Sequence, residues 1–237
     1  MLTGVHPAFL VALGGSDCER LRVGWLAQPA NAVSSLAYVA AGLWLLWRAG
    51  RPGVNRGMLL GAGVATILIG VGSVAYHGPQ PGWARTVHDG SIVWLGLVVI
   101  GHNFWLLART NVRRVALAAA PALAAFPVLP STGSAPRLPG GLVVAVVLVV
   151  GAVLAHPTTT PAALAAWRRS AVWMALALAA YAAGRTGSAL CRPGVLWQPH
   201  AAWHVVSAAG LLCAVLGFAA RAPGRIGGAG SAAELRR

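Results

Sequence analysis

The stretch GMLLGAGVATILIGVGSVAYH, residues 57–77, contains no Asp, Glu, Lys or Arg and is apolar along most of its length. A bilayer core about 30 Å thick is crossed by about 20 such residues in a helix. We therefore predict that this stretch spans a membrane from about residue 58 to residue 77. Its last turn, which carries Ser73 and His77, is then expected at one face of the membrane.

Six further stretches have the same character, and together they predict an all-α integral membrane protein with seven transmembrane helices. We place the spans at about residues 31–47, 58–77, 90–107, 115–130, 139–156, 170–187 and 200–219. The chain of 237 residues is 57% hydrophobic and 9% charged, against about 25% charged in an ordinary soluble domain. This composition excludes a soluble globular protein. We expect residues 1–220 to form one membrane domain, with residues 1–30 packing at its outer mouth and residues 221–237 forming a disordered cytoplasmic tail.

The charges are strongly biased, since 18 arginines and no lysine stand against 4 acids. Nucleic-acid binding needs a basic stripe on a folded face, whereas these arginines are scattered between apolar runs, so we expect no nucleic-acid partner. By the predicted loops, six arginines lie on the side of the N-terminus and twelve on the other side. Basic residues concentrate on the cytoplasmic side. We therefore expect a multi-pass protein of the plasma membrane with its N-terminus outside and its C-terminus in the cytoplasm.

Polar residues recur at the outer ends of three predicted spans. Ser73 and His77 stand at positions i and i+4 at the end of the second span, so they share a helical face. Asp89 opens the third span, and His200 and His204, again one turn apart, open the seventh. Polar groups at membrane depth are expensive and mark function by default. The predicted topology puts all five residues at one level.

These histidines have the spacing of a metal site. Two histidines one turn apart can face one ion, and a third from another helix gives the three-nitrogen pattern of catalytic zinc. We predict zinc bound by His77, His200 and His204. Zinc lowers the pKa of a bound water to about 7, Asp89 is able to accept that water's proton, and Ser73 is able to hydrogen-bond the water or an oxyanion. The alternative is a hydrogen-bonded polar cluster that fixes helix packing.

The order of these motifs resembles the signature of the seven-helix membrane hydrolase superfamily that contains the alkaline ceramidases and the adiponectin and progestin receptors. Ser-x-x-x-His ends the second span, an Asp opens the third, and His-x-x-x-His opens the seventh. The residues Asp17-Cys18-Glu19 and the stretch from Gln28 to Ser35 are similar to the ceramidase branch. The outside N-terminus also matches that branch, whereas the receptors are inverted.

The resemblance implies a zinc-dependent hydrolase that cleaves the linear amide bond of a ceramide-like N-acyl lipid. Zinc would be held by His77, His200 and His204, with Asp89 as the acid/base group and Ser73 assisting at the water or the oxyanion. The partner is then a membrane lipid, which would reach the site laterally between helices and place its amide at the metal.

A function of another class stays open, namely a seven-helix receptor or transport-like protein in which the metal is structural. A retinal protein is excluded, because its Schiff base needs a lysine and the chain has none. The open fourth coordination position and the presence of Asp89 favour hydrolysis.

The resemblance also implies a calcium site near the N-terminus. Asp17 and Glu19 supply acids for it, but Gln28 stands where the family has a further acid, and Arg20 and Arg22 intrude. Because calcium prefers several hard oxygen ligands that include carboxylates, we expect this site to be weak or lost.

The three cysteines allow at most one disulfide. Cys18 and Cys191 both fall on the predicted outer side, where a bridge can persist, and the ceramidase branch is similar in carrying such a pair. The bridge would clamp the N-terminal segment beside the mouth of the site. Cys213, in mid-span, is expected to pack as a small apolar side chain.

Other polar residues carry weaker expectations. His88 is interpreted as a loop histidine, with a supporting role at the site as the alternative. His102 and Asn103 lie some 20 Å along the third span from Asp89, where a polar contact between helices is expected. Further candidates to line the cavity are Tyr76, Tyr181 and Arg185.

Overall fold

The computed structural model describes residues 13–108 and 160–220, which are mainly helical and contain no β-strand. The six helices in this part of the chain are α1 Pro29–Ser34, α2 Leu36–Ala49, α3 Arg56–His77, α4 Ala84–Ala108, α5 Pro161–Ala183 and α6 Pro199–Ala219. The fourth and fifth predicted spans, about 115–130 and 139–156, lie outside the described residues, as does the predicted tail 221–237.

Three helical stretches are long and apolar enough to cross a membrane, namely Pro29–Ala49, Arg56–His77 and Pro199–Ala219. They correspond to the first, second and seventh predicted spans. Large apolar side chains on the helices are turned outward. Nine of them are more than half exposed in the described residues: Val33, Leu36, Leu43, Trp47, Leu97, Val172, Leu176, Leu178 and Val205. The prediction of a helical protein with membrane character is confirmed for these stretches by length and composition.

Helix α4 begins earlier than the third predicted span. The expected start was residue 90, but the helix begins at Ala84, whose N–H donates to Pro81 O, and Val87 N then donates to Trp83 O. The turn therefore closes directly after Pro81. As a result Asp89 lies in the second turn of α4 and does not open it.

Helix α5 corresponds to the sixth predicted span but is displaced toward the N-terminus. The prediction of 170–187 is wrong at both ends, since α5 covers Pro161–Ala183. The hydroxyl of Thr160 accepts a hydrogen bond from Ala163 N, which caps the helix start, and Pro161 suits the first turn. The helix ends at Ala183 with Gly184 as its C-cap, so Arg185 lies beyond it.

The core lies between α2, α3, α4 and α6, with α5 packed along α6. The largest fully buried apolar side chains of the described residues are Leu45, Leu59, Leu95, Val99 and Phe218. Helices α2 and α3 approach closely at two glycines, because a Cβ on Gly42 would lie 2.7 Å from Gly63 O. Small residues at such contacts are typical of membrane helices, where van der Waals packing stabilises association.

An irregular N-terminal segment, residues 13–28, lies across one end of the bundle. Ala27 N and Gln28 N donate to Gly78 O and His77 O at the end of α3. On the other side, Asp17 and Arg185 form an isolated antiparallel bridge beyond the end of α5. The segment thus connects the end of α3 to the loop between α5 and α6.

Candidate metal centre

Three histidines from two helices come together at the end of the bundle covered by the N-terminal segment. His77 is the last residue of α3, and His200 and His204 lie in the first two turns of α6. All three are buried, and one ring nitrogen of each lies within 4.8 Å of the others. Ligand nitrogens on a tetrahedral zinc ion are about 3.3 Å apart at ordinary Zn–N distances. The three nitrogens are therefore separated by at most about 1.5 Å more than the ligands of one zinc ion.

His77 is oriented by Gln28. Its Nδ1 lies 2.7 Å from Gln28 Oε1, and because an amide oxygen only accepts, Nδ1 carries the proton and Nε2 keeps its lone pair. Gln28 is itself fully buried, and its Nε2 donates to Gly14 O at 3.0 Å and to Glu19 O at 2.8 Å. The N-terminal segment thereby sets the tautomer of His77.

His204 is oriented by the backbone of α1. Its Nδ1 lies 3.1 Å from Asn31 O, so Nδ1 donates and Nε2 is left for a metal. The hydroxyls of Ser34 and Ser35 lie 2.9 and 3.2 Å from the same nitrogen, and both donate to Asn31 O. These contacts place His204 at the junction of α1 and α2.

His200 faces the carboxylate of Asp17. The two atoms, Nδ1 and Oδ1, are 3.5 Å apart, and His200 Nδ1 has no hydrogen-bond partner among the described residues. Asp17 also pairs with Arg185 Nη1 at 2.8 Å. Burial raises the pKa of Asp17 to about 6, while the charges of Arg185 and His88 act to lower it. A carboxylate on the far nitrogen of a metal-binding histidine orients the ring and raises its basicity.

Close packing holds the start of α6 against the end of α5. A Cβ on Gly184 would lie 2.5 Å from His200 N, so the contact requires glycine at this position. Cys18 N donates to Gly184 O at 2.7 Å. His200 therefore lies between the N-terminal segment and the α5–α6 loop.

Ser73 is fully buried one turn before His77 on α3. Its hydroxyl lies 2.8 Å from Ser35 Oγ, which in turn lies beside Nδ1 of His204. The structure thus connects Ser73, through Ser35, to Nδ1 of His204. A role for Ser73 at a water or an oxyanion stays a prediction.

The structure does not place Asp89 at the histidine cluster. Its side chain is 63% exposed and lies 4.0 Å from Arg85 Nε. Its Oδ1 accepts a hydrogen bond from His88 Nδ1 at 2.8 Å. Because α4 begins at Ala84, Asp89 lies in a regular helical turn and its carboxylate contacts Arg85 and His88 of the same helix.

His88 lies within α4, so its interpretation as a loop histidine is wrong. Its ring centroid is 5.4 Å from that of Tyr76, which is 5.1 Å from that of His77. Its backbone packs against α3, since a Cβ on Gly72 would lie 2.6 Å from His88 N. His88 thus contacts Asp89 by a hydrogen bond and Tyr76 by its ring, and Tyr76 in turn contacts His77.

Both acids expected near a calcium ion have other partners. Glu19 accepts backbone N–H bonds from Ala30 and Asn31, each 2.8 Å long and one on each carboxylate oxygen. These N–H groups begin α1, where a negative charge is favourable. Asp17 is paired with Arg185. This arrangement supports the expectation that a calcium site is weak or lost, which stays a prediction.

We predict that millimolar calcium leaves the melting temperature of the wild-type protein unchanged. Gln28 Nε2 already donates to the carbonyls of Gly14 and Glu19, so those oxygens have a partner without a cation. In Gln28→Glu a carboxylate would face both carbonyls, and we expect the melting temperature to fall by about 5–10 °C and calcium to restore part of it. Differential scanning fluorimetry measures both effects, and calcium-dependent melting of the wild type would contradict the prediction.

Cys18 and Cys191 are joined by a disulfide, the pair indicated by the sequence. The bridge connects the N-terminal segment to the α5–α6 loop. Its N-terminal half-cystine, Cys18, stands in the sequence between the two buried acids Asp17 and Glu19. Cys213, within α6, is a free cysteine.

The remaining polar candidates fall into two groups. Near the site, the ring of Tyr181 lies 5.9 Å from that of His200, and Arg185 lies over the Tyr181 ring. Farther along α4, His102 is buried, with Nε2 donating to Phe218 O at 3.0 Å and Nδ1 lying 3.3 Å from Asn55 Nδ2. The expected polar contact between helices at His102 is therefore present, and its neighbour Asn103 is buried as well.

No family model, curated protein or solved structure matches this chain. The resemblance to the ceramidase branch therefore rests on the motif residues, and it stays a prediction.

Sequence reasoning missed Gln28 and Asp17 as neighbours of the clustered histidines. Both act from an irregular segment on residues far along the chain, and no periodic pattern reports such contacts. The available signal was the polar Gln28 immediately before an apolar span, since a buried amide needs partners.

Proposed function

We propose that this protein is a membrane hydrolase that uses zinc to cleave the amide bond of a ceramide-like N-acyl lipid. One observation carries the proposal: three buried histidines converge while the Nδ1 atom of each faces an oxygen of residues 17–35. The opposite nitrogens, Nε2, are thereby available to one ion. Three histidine ligands with an open fourth position are typical of catalytic zinc.

The donor set fits zinc, and the surrounding residues fit a reaction site. A bound zinc ion would polarise an acyl carbonyl and provide a nucleophilic water at neutral pH. Gln28 and Asn31 hold the rings of His77 and His204 by hydrogen bonds to Nδ1, and the carboxylate of Asp17 faces Nδ1 of His200 at 3.5 Å. Burial of the cluster restricts the access of bulk water, which strengthens electrostatic interactions inside the site.

Amide hydrolysis requires a group that moves a proton from the attacking water to the leaving nitrogen. We assign this step to Asp89 together with His88. Asp89 Oδ1 accepts from His88 Nδ1, so His88 keeps the lone pair of Nε2, and its ring packs on Tyr76 beside His77.

We further propose seven spans, an outside N-terminus and a site toward the outer face of the plasma membrane. Three helices of spanning length support this arrangement. The Cys18–Cys191 disulfide lies at the same end of the bundle as the histidines, and disulfides persist on the oxidising side of a membrane. The lipid substrate then approaches from the bilayer, between the helices.

A second candidate is a receptor or transport-like membrane protein in which the metal is structural. The exposed position of Asp89 favours it, because a metal site without a nearby proton-transfer group is expected to stabilise the fold only.

Elemental analysis and a hydrolysis assay on the protein purified in detergent test the proposal. We expect about one zinc per chain and release of fatty acid from an N-acyl sphingoid base. Asp89→Ala should retain zinc but lower turnover by about 10²–10⁴-fold. Arg169→Gln is the control, since it removes an exposed charge on α5 that does not pair with Asp89 and should leave turnover unchanged. Zinc without turnover of any acyl amide or ester, with Asp89→Ala indistinguishable from the wild type, would favour the structural metal.

A further inference from the structure

Two loops beside the metal centre form one continuous surface, which we call the paired loops. They are residues 20–26 of the N-terminal segment and residues 190–197 between α5 and α6. The Cys18–Cys191 disulfide and a backbone hydrogen bond of 3.0 Å from Arg20 N to Pro193 O join them. Because α3 and α6 are long enough to span a bilayer, loops that adjoin their ends lie at a membrane interface.

The paired loops carry the five most exposed large apolar side chains of the described residues. The exposed fractions are 98% for Val23, 79% for Trp25, 78% for Leu196, 75% for Trp197 and 66% for Leu190. None of the five belongs to a helix. Clustered apolar exposure of this kind marks an interaction surface. The two tryptophans indicate which kind, since Trp is enriched where apolar and aqueous phases meet.

The same loops carry positive charge without compensating acids. Arg20, Arg22 and Arg192 are exposed, and no carboxylate of the described residues lies within ion-pair distance of them. The acids next to them in sequence, Asp17 and Glu19, are buried and bound to other groups. The surface therefore combines three unpaired guanidinium groups with a large apolar area.

An anionic phospholipid matches both properties of this surface. Guanidinium groups bind phosphate through paired hydrogen bonds, and acyl chains cover apolar side chains that a soluble anion would leave in water. We infer that the paired loops lie in the headgroup layer and bind anionic phospholipid, with Arg20, Arg22 and Arg192 at the phosphates and with Trp25 and Trp197 at the acyl boundary. This inference depends on membrane residence and is independent of the metal chemistry.

Tryptophan quenching in reconstituted vesicles tests this assignment locally. The wild-type protein is placed in phosphatidylcholine that contains brominated phosphatidylglycerol, and in phosphatidylglycerol that contains brominated phosphatidylcholine. The chain has other tryptophans, so the same measurement is made on the double variant Trp25→Phe/Trp197→Phe. The difference in quenching between the wild type and this variant reports the lipid that contacts the paired loops. We expect this part to be larger with brominated phosphatidylglycerol.

The arginines are tested by a triple variant, Arg20→Gln/Arg22→Gln/Arg192→Gln. A basic residue near an anionic membrane contributes about 1 kcal/mol, so the preference for phosphatidylglycerol at the loops should fall roughly 100-fold. Arg48→Gln/Arg168→Gln/Arg169→Gln removes the same charge elsewhere and should keep the preference. An unchanged preference in the first triple variant would overturn the inference. Displacement of the lipid by soluble glycerol phosphate would also overturn it, because the site would then be one for a free anion.

Discussion

The double variant His200→Ala/His204→Ala is expected to contain almost no zinc and to release no fatty acid from N-acyl lipids. Only His77 of the cluster would remain, and one imidazole does not hold zinc against water. Since the metal supplies several kcal/mol of transition-state stabilisation, turnover should fall by more than about 10⁴-fold. Zinc content by elemental analysis and fatty-acid release, measured on the same preparation, check both parts.

His102→Ala is the matched control for this double variant. His102 is also a buried histidine, but it contacts Phe218 O and Asn55, away from the cluster. The His102→Ala variant should therefore retain zinc. Circular dichroism should show the same helix content in the wild type, in the double variant and in this control. If the double variant kept the zinc stoichiometry of the wild type, the proposed site would be wrong.

Loss of the disulfide should have the second largest effect. In Cys18→Ser we expect the free energy of unfolding to fall by about 2–4 kcal/mol and zinc to leave faster than from the wild type. The reason is that the bridge holds the segment that carries Asp17, which faces His200, and Glu19, whose carbonyl holds Gln28. Thermal melting and the rate of zinc transfer to a colorimetric chelator measure the two effects.

Cys213→Ser controls for the chemistry of the substitution, since Cys213 is a free cysteine in α6. It should melt and release zinc as the wild type does. Equal zinc release from Cys18→Ser and from Cys213→Ser would show that the N-terminal segment does not hold the ligands in place.

Helical periodicity was sufficient to predict which histidines meet. His200 and His204 are one turn apart, so the helix alone places them on one face. His77 meets them because the helix that it ends stops at the membrane level where their helix begins. The spans carrying them were also correctly placed to within a few residues, because each is a long apolar stretch with a proline or a glycine near its ends.

The position of Asp89 could not be predicted in the same way. Its orientation depends on the residue at which α4 begins, and an apolar pattern does not report whether the preceding turn residues join the helix. The partner of Asp17 was equally hidden, because its contact with His200 depends on an isolated bridge to Arg185 beyond a helix end. Contacts made by irregular backbone depend on the whole fold.

The oxygens that face the three Nδ1 atoms all come from residues 17–35, and this has a consequence for biosynthesis. During synthesis this segment emerges early, whereas His204, which donates to Asn31 O, follows 173 residues later. A nascent chain that has not yet delivered α6 contains only His77 of the three clustered histidines. On the proposed function, retention of zinc would report that the N-terminal segment and α6 have been brought together, so metal loading would distinguish finished molecules from partly assembled ones.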